Sequence, residues 1–309
     1  MPLHSVRIFN FDDSLLQQHN LIERFKPEVV ELKHLGESGR LWLNEHDAAE
    51  IRSVLAKHPP HALSFLGSGD YHHTSALLIE QYTLPVSVIV FDSHPDWDIL
   101  PPHLGCGSWV SYILRMKYVK EVIIFGLSTN DISAFWIQTA DLNSLQQERV
   151  RVYPYVHEPT RVFFKPQLQN PSIKIEDSLF SKIIHWQQLK GKDLREFIPS
   201  VLGNLVVKDV YVSIDKDCLK AQDALTNWDE GKMSLSELTM ILQWIKKHLI
   251  IAAADITGEY SECRVKGLIK NICSRFDHPR NFSARDKFRE FINDTNEHAN
   301  IRLLETLLH

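Results

Sequence analysis

The chain has 309 residues, of which 44% are hydrophobic and 24% charged, and a formal net charge of -5. These values fit a soluble globular protein long enough to bury a large core. The acidic balance, with no Lys/Arg block, argues against non-specific nucleic-acid binding.

No apolar run approaches the ~20 residues that a membrane span needs. The N-terminal MPLHSVRIFNFDDS has no basic head followed by an apolar stretch, so no secretory signal is read. The four cysteines (Cys106, Cys218, Cys263 and Cys273) form no CxxC pair, which fits a reducing compartment. A cytoplasmic protein with no nucleic-acid or membrane partner is expected.

Short β-rich runs recur along the chain: VRIFNF (6–11), ALSFLG (62–67), VSVIVF (86–91), EVIIFGL (121–127), RVRVYPY (149–155), KIIHW (182–186), DVYVSID (209–215) and IIAAADIT (250–257). Several are continuously apolar rather than alternating, the pattern of strands covered on both faces. Helical patterns lie between them at 44–58, 75–82, 107–117, 192–202 and 234–248. The last begins with Ser234 and has Glu237 three residues on, a capping box. Strands alternating with helices predict an α/β fold on a mostly parallel sheet. Residues 156–181 carry three prolines and little periodicity, and are read as a surface excursion within one domain spanning 1–309. From Glu259 the pattern turns helical, and 260–309 is expected to be a C-terminal helical region.

Three polar clusters fall at predicted strand ends, where an open α/β sheet binds its ligands. They are GSGDYHH (67–73), DSHPDWD (92–98) and SIDKD (213–217). Alternate residues of an extended segment face one side, so Asp92, His94 and Asp96 can converge, as can Asp215 and Asp217. With a histidine from the first cluster they make a set of hard oxygens and imidazole that suits Mn²⁺, with Fe²⁺, Co²⁺ or Zn²⁺ as alternatives. So many carboxylates in one pocket need neutralising, and two divalent ions would do it. Any one of these acids alone is an ordinary turn residue or helix cap; their recurrence at three strand ends carries the reading.

The clusters resemble the signatures of the ureohydrolase superfamily of arginase, agmatinase and formiminoglutamase, which read GGDHS, DAHxD and SxDxDxxDP. Here they are GSGDYHH, DSHPD and SIDKDCLKAQD, in the same order, within residues 60–260. The resemblance implies a three-layer α/β/α, arginase-like fold on an eight-stranded sheet. It implies hydrolysis of a C–N bond in a small guanidino, amidino or amide compound, with a bridging hydroxide at a dinuclear, manganese-type centre as the attacking group. By position, Asp92 and Asp215 correspond to bridging carboxylates. Asp96 and a histidine of the first motif correspond to ligands of one metal, and His94 and Asp217 to ligands of the other. Ring-like homo-oligomers occur in the family, and nothing in the sequence decides that point.

The departures bear on function. Tyr71 separates Asp70 from two histidines, leaving His72 or His73 as the ligand, and paired histidines also resemble the proton-handling pair of the related zinc deacetylases. Where the family has a shuttle histidine, HLGCGSWVSYIL places Cys106, readable as proton carrier, nucleophile or small packing residue. His103 stands three residues earlier as a substitute shuttle. Glu259, one residue out of register with the arginase pattern, corresponds to a substrate-binding carboxylate or to a plain surface acid. Trp228 reads as a pocket wall or a packed loop residue, and Trp97 and Trp109 as pocket or core aromatics. Two rival readings follow: a zinc-type deacetylase, and a catalytically silent metal-binding scaffold.

Overall fold

The computed structural model describes residues 5–163, 168–178, 181–278 and 286–309. Residues 1–4 of the N-terminal stretch, 164–167 and 179–180 of the 156–181 excursion, and 279–285 of the C-terminal region lie outside the described residues. The strands are β1 (Val6–Asn10), β2 (Glu28–Glu31), β3 (Leu63–Phe65), β4 (Val86–Phe91), β5 (Val119–Phe125), β6 (Val150–Tyr153), β7 (Thr160–Phe163), β8 (Ile173–Ser178), β9 (Ser181–Trp186), β10 (Asp209–Asp215) and β11 (Ile250–Thr257). Eight of them form one sheet in the order β2-β1-β3-β11-β10-β4-β5-β6, and every neighbouring pair is parallel.

The apolar runs explain the layering. Successive side chains of a strand point to opposite faces, and both faces here are covered. Val88 and Val90 of β4 pack in one cluster with Ile51, Leu77 and Trp109, which lie on the helices Glu45–Leu55, Thr74–Ile79 and Trp109–Ile113. Ile89 and Phe91 pack in the other with Phe197, Leu238 and Leu303, from the helices Leu194–Leu202, Leu235–His248 and Asp286–Leu308. Each fully buried side chain of this kind stabilises the fold by about 1.5–3 kcal/mol relative to exposure. The result is the three-layer α/β/α arrangement expected of the arginase-like fold. Ser234 caps the helix Leu235–His248 with the full capping box predicted from its sequence.

Two strand assignments differ from the sequence reading. KIIHW, expected in the main sheet, forms β9 at the centre of a separate three-stranded antiparallel sheet, β7-β9-β8. Ile183 and His185 leave one face of β9 half-exposed, whereas the central β4 is buried at all six positions. The eighth strand of the main sheet is instead β2, EVVE, an edge strand with only Val30 buried. Its apolar signal is too short to register. The prolines of 156–181 mask β7 and β8. No helix among the described residues is long and apolar enough to cross a membrane.

Candidate metal centre

The sheet order determines which motifs meet. Phe91 of β4 is in register with Ile214 of β10, so the next residues, Asp92 and Asp215, leave adjacent strands side by side. The first motif follows β3, one strand further across the sheet beyond β11. At Gly69, an added Cβ would sit 2.9 Å from Asp215 Oδ2 and 3.1 Å from the Trp228 ring. Only glycine lets the first motif approach so closely.

Six of the predicted ligand residues converge. His72 Nδ1 lies 3.0 Å from Asp92 Oδ2, 3.2 Å from Asp96 Oδ2 and 3.6 Å from Asp215 Oδ2. His94 Nδ1 lies 2.9 Å from Asp217 Oδ2 and 3.5 Å from Asp92 Oδ1. Backbone amides aim the carboxylates: His94 N–H donates to Asp92, Ser93 N–H to Asp217 and Asp217 N–H to Asp215. Trp109 Nε1 donates to Asp96 Oδ2 at 2.7 Å. Asp96 itself sits at φ 49, a left-handed conformation uncommon for a residue other than glycine and enriched at functional sites.

His73 does not join them. It is buried, lies outside the cavity lining, and is driven to about 3 by burial and by the nearby charges of Lys270 and His72. His72 is therefore the histidine that faces the carboxylates. Trp109 is fully buried, with its N–H turned to Asp96, and Trp97 is a core residue packed near Trp186.

The charges of the chain alone are badly balanced. Burial and the Asp92 charge push Asp96 up to about 7 and Asp217 up to about 6. Burial, Asp217 and Asp92 hold Asp215 well above the usual carboxylate range. Burial disfavours both imidazolium ions, but Asp92 and Asp96 raise His72, and Asp217 raises His94. Asp92 is buried too, yet the two imidazoles lower it. Its Oδ2 accepts no hydrogen bond.

These residues fit two divalent cations. Donor atoms of His72, Asp92 and Asp96 lie within 4.8 Å of one another, and so do those of Asp92, His94 and Asp217. The two groups share Asp92. Asp70, Cys263 and His278 form a third such group, but Asp70 is already satisfied. Its Oδ1 accepts from His278 Nε2 at 2.7 Å and Trp228 Nε1 at 3.1 Å, while Oδ2 pairs with Arg40. A guanidinium occupies the position a cation would need.

Above the centre is a cavity of about 470 Å³. Trp228 lines it, standing 5.3 Å from the His94 ring, and so forms a wall of it. Asn227 ties that loop to the Ser261 backbone through two hydrogen bonds. Cys106 also lines the cavity. Burial, then Asp96, Asp70 and Asp277, push its thiol well above the ordinary range.

Two predicted catalytic residues are elsewhere. His103 is exposed and lies outside the lining; the 99–103 turn carries it to solvent. Glu259 is 2% exposed and engaged inside the protein. It pairs with the buried Lys216 and accepts from Gln18 Nε2 at 3.0 Å and Asn300 Nδ2 at 2.7 Å. A buried ammonium needs such a counter-ion, which leaves Glu259 no free face for a substrate.

Several site residues escaped the sequence reading. Ser213 and Asp255 stand behind His72, and their signal was visible: polar residues inside otherwise apolar strands. Asp98, Asp131, Trp136, Asp229 and Asp277 line the cavity from loops and a helix end that carry no periodic signal.

No family model matches the chain. An uncharacterized protein of Thermotoga maritima is 26% identical over 210 residues, or 68% of this chain. The match spans 62% of that relative, less than two thirds of its length. Arginase from Bacillus subtilis is similar in structure with a TM-score of 0.58 at 17% identity, over 100% of this chain and 98% of that one. Formimidoylglutamase from the same organism gives 0.56 at 12% identity, over 100% and 88%. At these identities the likeness establishes the fold.

Proposed function

Taking the arginase-like fold as the premise, we propose that the chain is a divergent member of the ureohydrolase superfamily. It hydrolyses a C–N bond in a small guanidino, amidino or amide compound. The observation that carries this reading is the pair of ligand groups sharing Asp92 at the ends of β4 and β10, beneath a cavity of about 470 Å³.

His72, Asp92 and Asp96 would hold one cation and Asp92, His94 and Asp217 the other, with Asp215 beside them as the second carboxylate expected to bridge. An oxygen-rich set with two imidazoles favours Mn²⁺, with Fe²⁺, Co²⁺ and Zn²⁺ as alternatives. When bound, the pair supplies Lewis acidity for activating water and stabilising developing negative charge. The protein's own residues do the rest. Trp228 walls the cavity and limits water beside His94. Ser93, His94 and Asp217 backbone amides keep the carboxylates oriented as charge changes. Cys106 lines the cavity, where a thiol would be a weak hydrogen-bond donor. The position of His73, outside the cavity, argues against a deacetylase-type histidine pair.

The test is metal content followed by turnover. Full-length protein dialysed against Mn²⁺ is expected to retain about two ions per chain and to release urea, ammonia or an amine from members of a guanidino, amidino and amide panel. Absence of bound metal under every loading condition would overturn the reading.

A further inference from the structure

We propose that Cys263 is a modification site, a thiol oxidised to sulfenic acid by a small peroxide, with His278 and Asp70 as the groups that position and support it. It lies outside the metal centre and does not depend on the hydrolase reading. Donor atoms of Asp70, Cys263 and His278 lie within 4.8 Å of one another, and Arg40 bars a metal ion from them by pairing with Asp70. What remains is a thiol, an imidazole and a carboxylate that orients the imidazole, the arrangement that activates a sulfur nucleophile. Among the described residues no other cysteine belongs to such a group.

The ring is held from one side only. Its Nε2 donates to Asp70 Oδ1 at 2.7 Å, while Nδ1 is buried without a hydrogen-bond partner in a residue that is 3% exposed. A buried polar atom left in that state is costly, and an oxygen brought to the neighbouring sulfur would offer it a partner. Against burial, Asp70 and Cys263 hold the ring's pKa up to about 10, so a thiolate formed beside it at neutral pH has a counter-ion. Asp70 Oδ2 is 3.9 Å from the sulfur, but its charge is already met by Arg40 and His278.

The other cysteines lack this setting. Burial and nearby aspartates push the thiols of Cys106 and Cys218 well above the ordinary range. Cys273 is half-buried, as Cys263 is, but belongs to no such group. Cys263 lines neither the cavity above the metal centre nor the one of about 330 Å³ bounded by Arg40, Glu262 and Arg264. Lining neither, the sulfur suits a reactant as small as hydrogen peroxide rather than a bulky substrate. In the step the thiol proton leaves to solvent and the sulfur forms an S–O bond as the O–O bond breaks. The departing hydroxide takes up a proton and leaves as water. Sulfur loses two electrons and the peroxide gains them.

The test uses the full-length chain and hydrogen peroxide. A 1,3-dione traps the sulfenic acid, and peptide mass spectrometry follows the adduct at each cysteine with time. Cys263 is expected to be trapped about tenfold faster than Cys273, the effect of one charge-assisted partner on the attacking sulfur. His278→Gln keeps a donor for Asp70 but carries no charge. It should slow trapping at Cys263 by a similar factor and leave Cys273 unchanged. Trapping at Cys263 no faster than at Cys273, or equally fast in His278→Gln, would overturn the inference. If that variant does not fold, the ranking within the wild type decides alone. Neither result touches metal content or turnover, on which the hydrolase reading is judged.

Discussion

His72 and Ser213 meet at 2.9 Å, ring Nε2 to hydroxyl Oγ, and Ser213 in turn donates to Asp255 Oδ1 at 2.8 Å. The serine has one hydrogen and gives it to the carboxylate, so it accepts from His72 Nε2–H. That sets the ring orientation and turns Nδ1 toward Asp92 and Asp96, where it would present its lone pair to a bound cation. Partners of this kind orient metal-binding imidazoles.

Replacing Ser213 by alanine should therefore weaken metal binding by about 10–100-fold with little loss of stability. A competitive Mn²⁺ titration against a chelator reads the change. Unaltered affinity would mean that the relay to Asp255 does not orient the ring.

Asp92 belongs to both ligand groups, whereas Asp96 and Asp217 belong to one each. Elemental analysis of dialysed protein should find almost no metal in Asp92→Asn. In Asp96→Asn and in Asp217→Asn it should find about one ion per chain where the wild type holds about two. Equal loss in all three variants would show that the two positions fill only together.

The Asp70–His278 pair should make stability depend on pH in alkaline solution. Burial works against the His278 imidazolium, but Asp70, and Cys263 beside it, outweigh it and hold its pKa up to about 10, against 6.5 for a free histidine. A raised histidine contributes stability fully below the unfolded value and loses it as pH rises through the folded one. The contribution is thus complete at pH 6 and fades between 6.5 and about 10. Asp70 is held low chiefly by Arg40 and His278 against its own burial, and loses its share only in acid. In urea unfolding, His278→Gln should cost about 3 kcal/mol at pH 6 and less at pH 10. A cost that does not change with pH would remove the ion pair from the explanation.

Lys216 and Glu259 should behave as a buried pair. Lys216→Met leaves the Glu259 carboxylate without its counter-charge and is expected to destabilise by about 3–5 kcal/mol. Adding Glu259→Gln removes the orphaned charge, keeps an acceptor for one of Asn300 and Gln18, and should recover most of that loss. Should the double variant prove no better than the single one, packing rather than charge is what Lys216 supplies.

The sequence was most readable where physics leaves least choice. VSVIVF is apolar on both faces and reads as a central strand, whereas DVYVSID puts Val210, Val212 and Ile214 on one face and Tyr211 and Ser213 on the other, and it is the sheet order that sets the two side by side. Asp92, His94, Asp96, Asp215 and Asp217 were read from their places at strand ends and from the motif resemblance. The choice of His72 over His73 was not decidable from spacing, because a short turn (Gly69–Tyr71) and the helix Thr74–Ile79 rotate the two rings to different sides. Glu259 was misjudged because motif position says nothing of Lys216 beneath it. His103 was misjudged because three residues of loop are enough to turn a side chain to solvent. His278 and Asp277 reach the site through tertiary packing alone, at the end of the helix Leu268–Asp277, and no local pattern announces that.

The sheet order also governs how the chain must be made. β3 and β4 carry the first two motifs, yet β11 and β10, from the far half of the sequence, lie between them. A growing chain holds β3 and β4 ready with a gap two strands wide, and at roughly 5–20 residues per second that gap stays open for on the order of ten seconds before β10 emerges. During that interval the edges of two of the most apolar strands are unpaired, which invites misassociation. A fragment ending before β10 lacks Asp215 and Asp217, and one ending before β11 still has the gap beside β3 open. Metal capture at the proposed centre would therefore be a late event that reports completed folding, and production of this protein should gain from slow synthesis or chaperone supply.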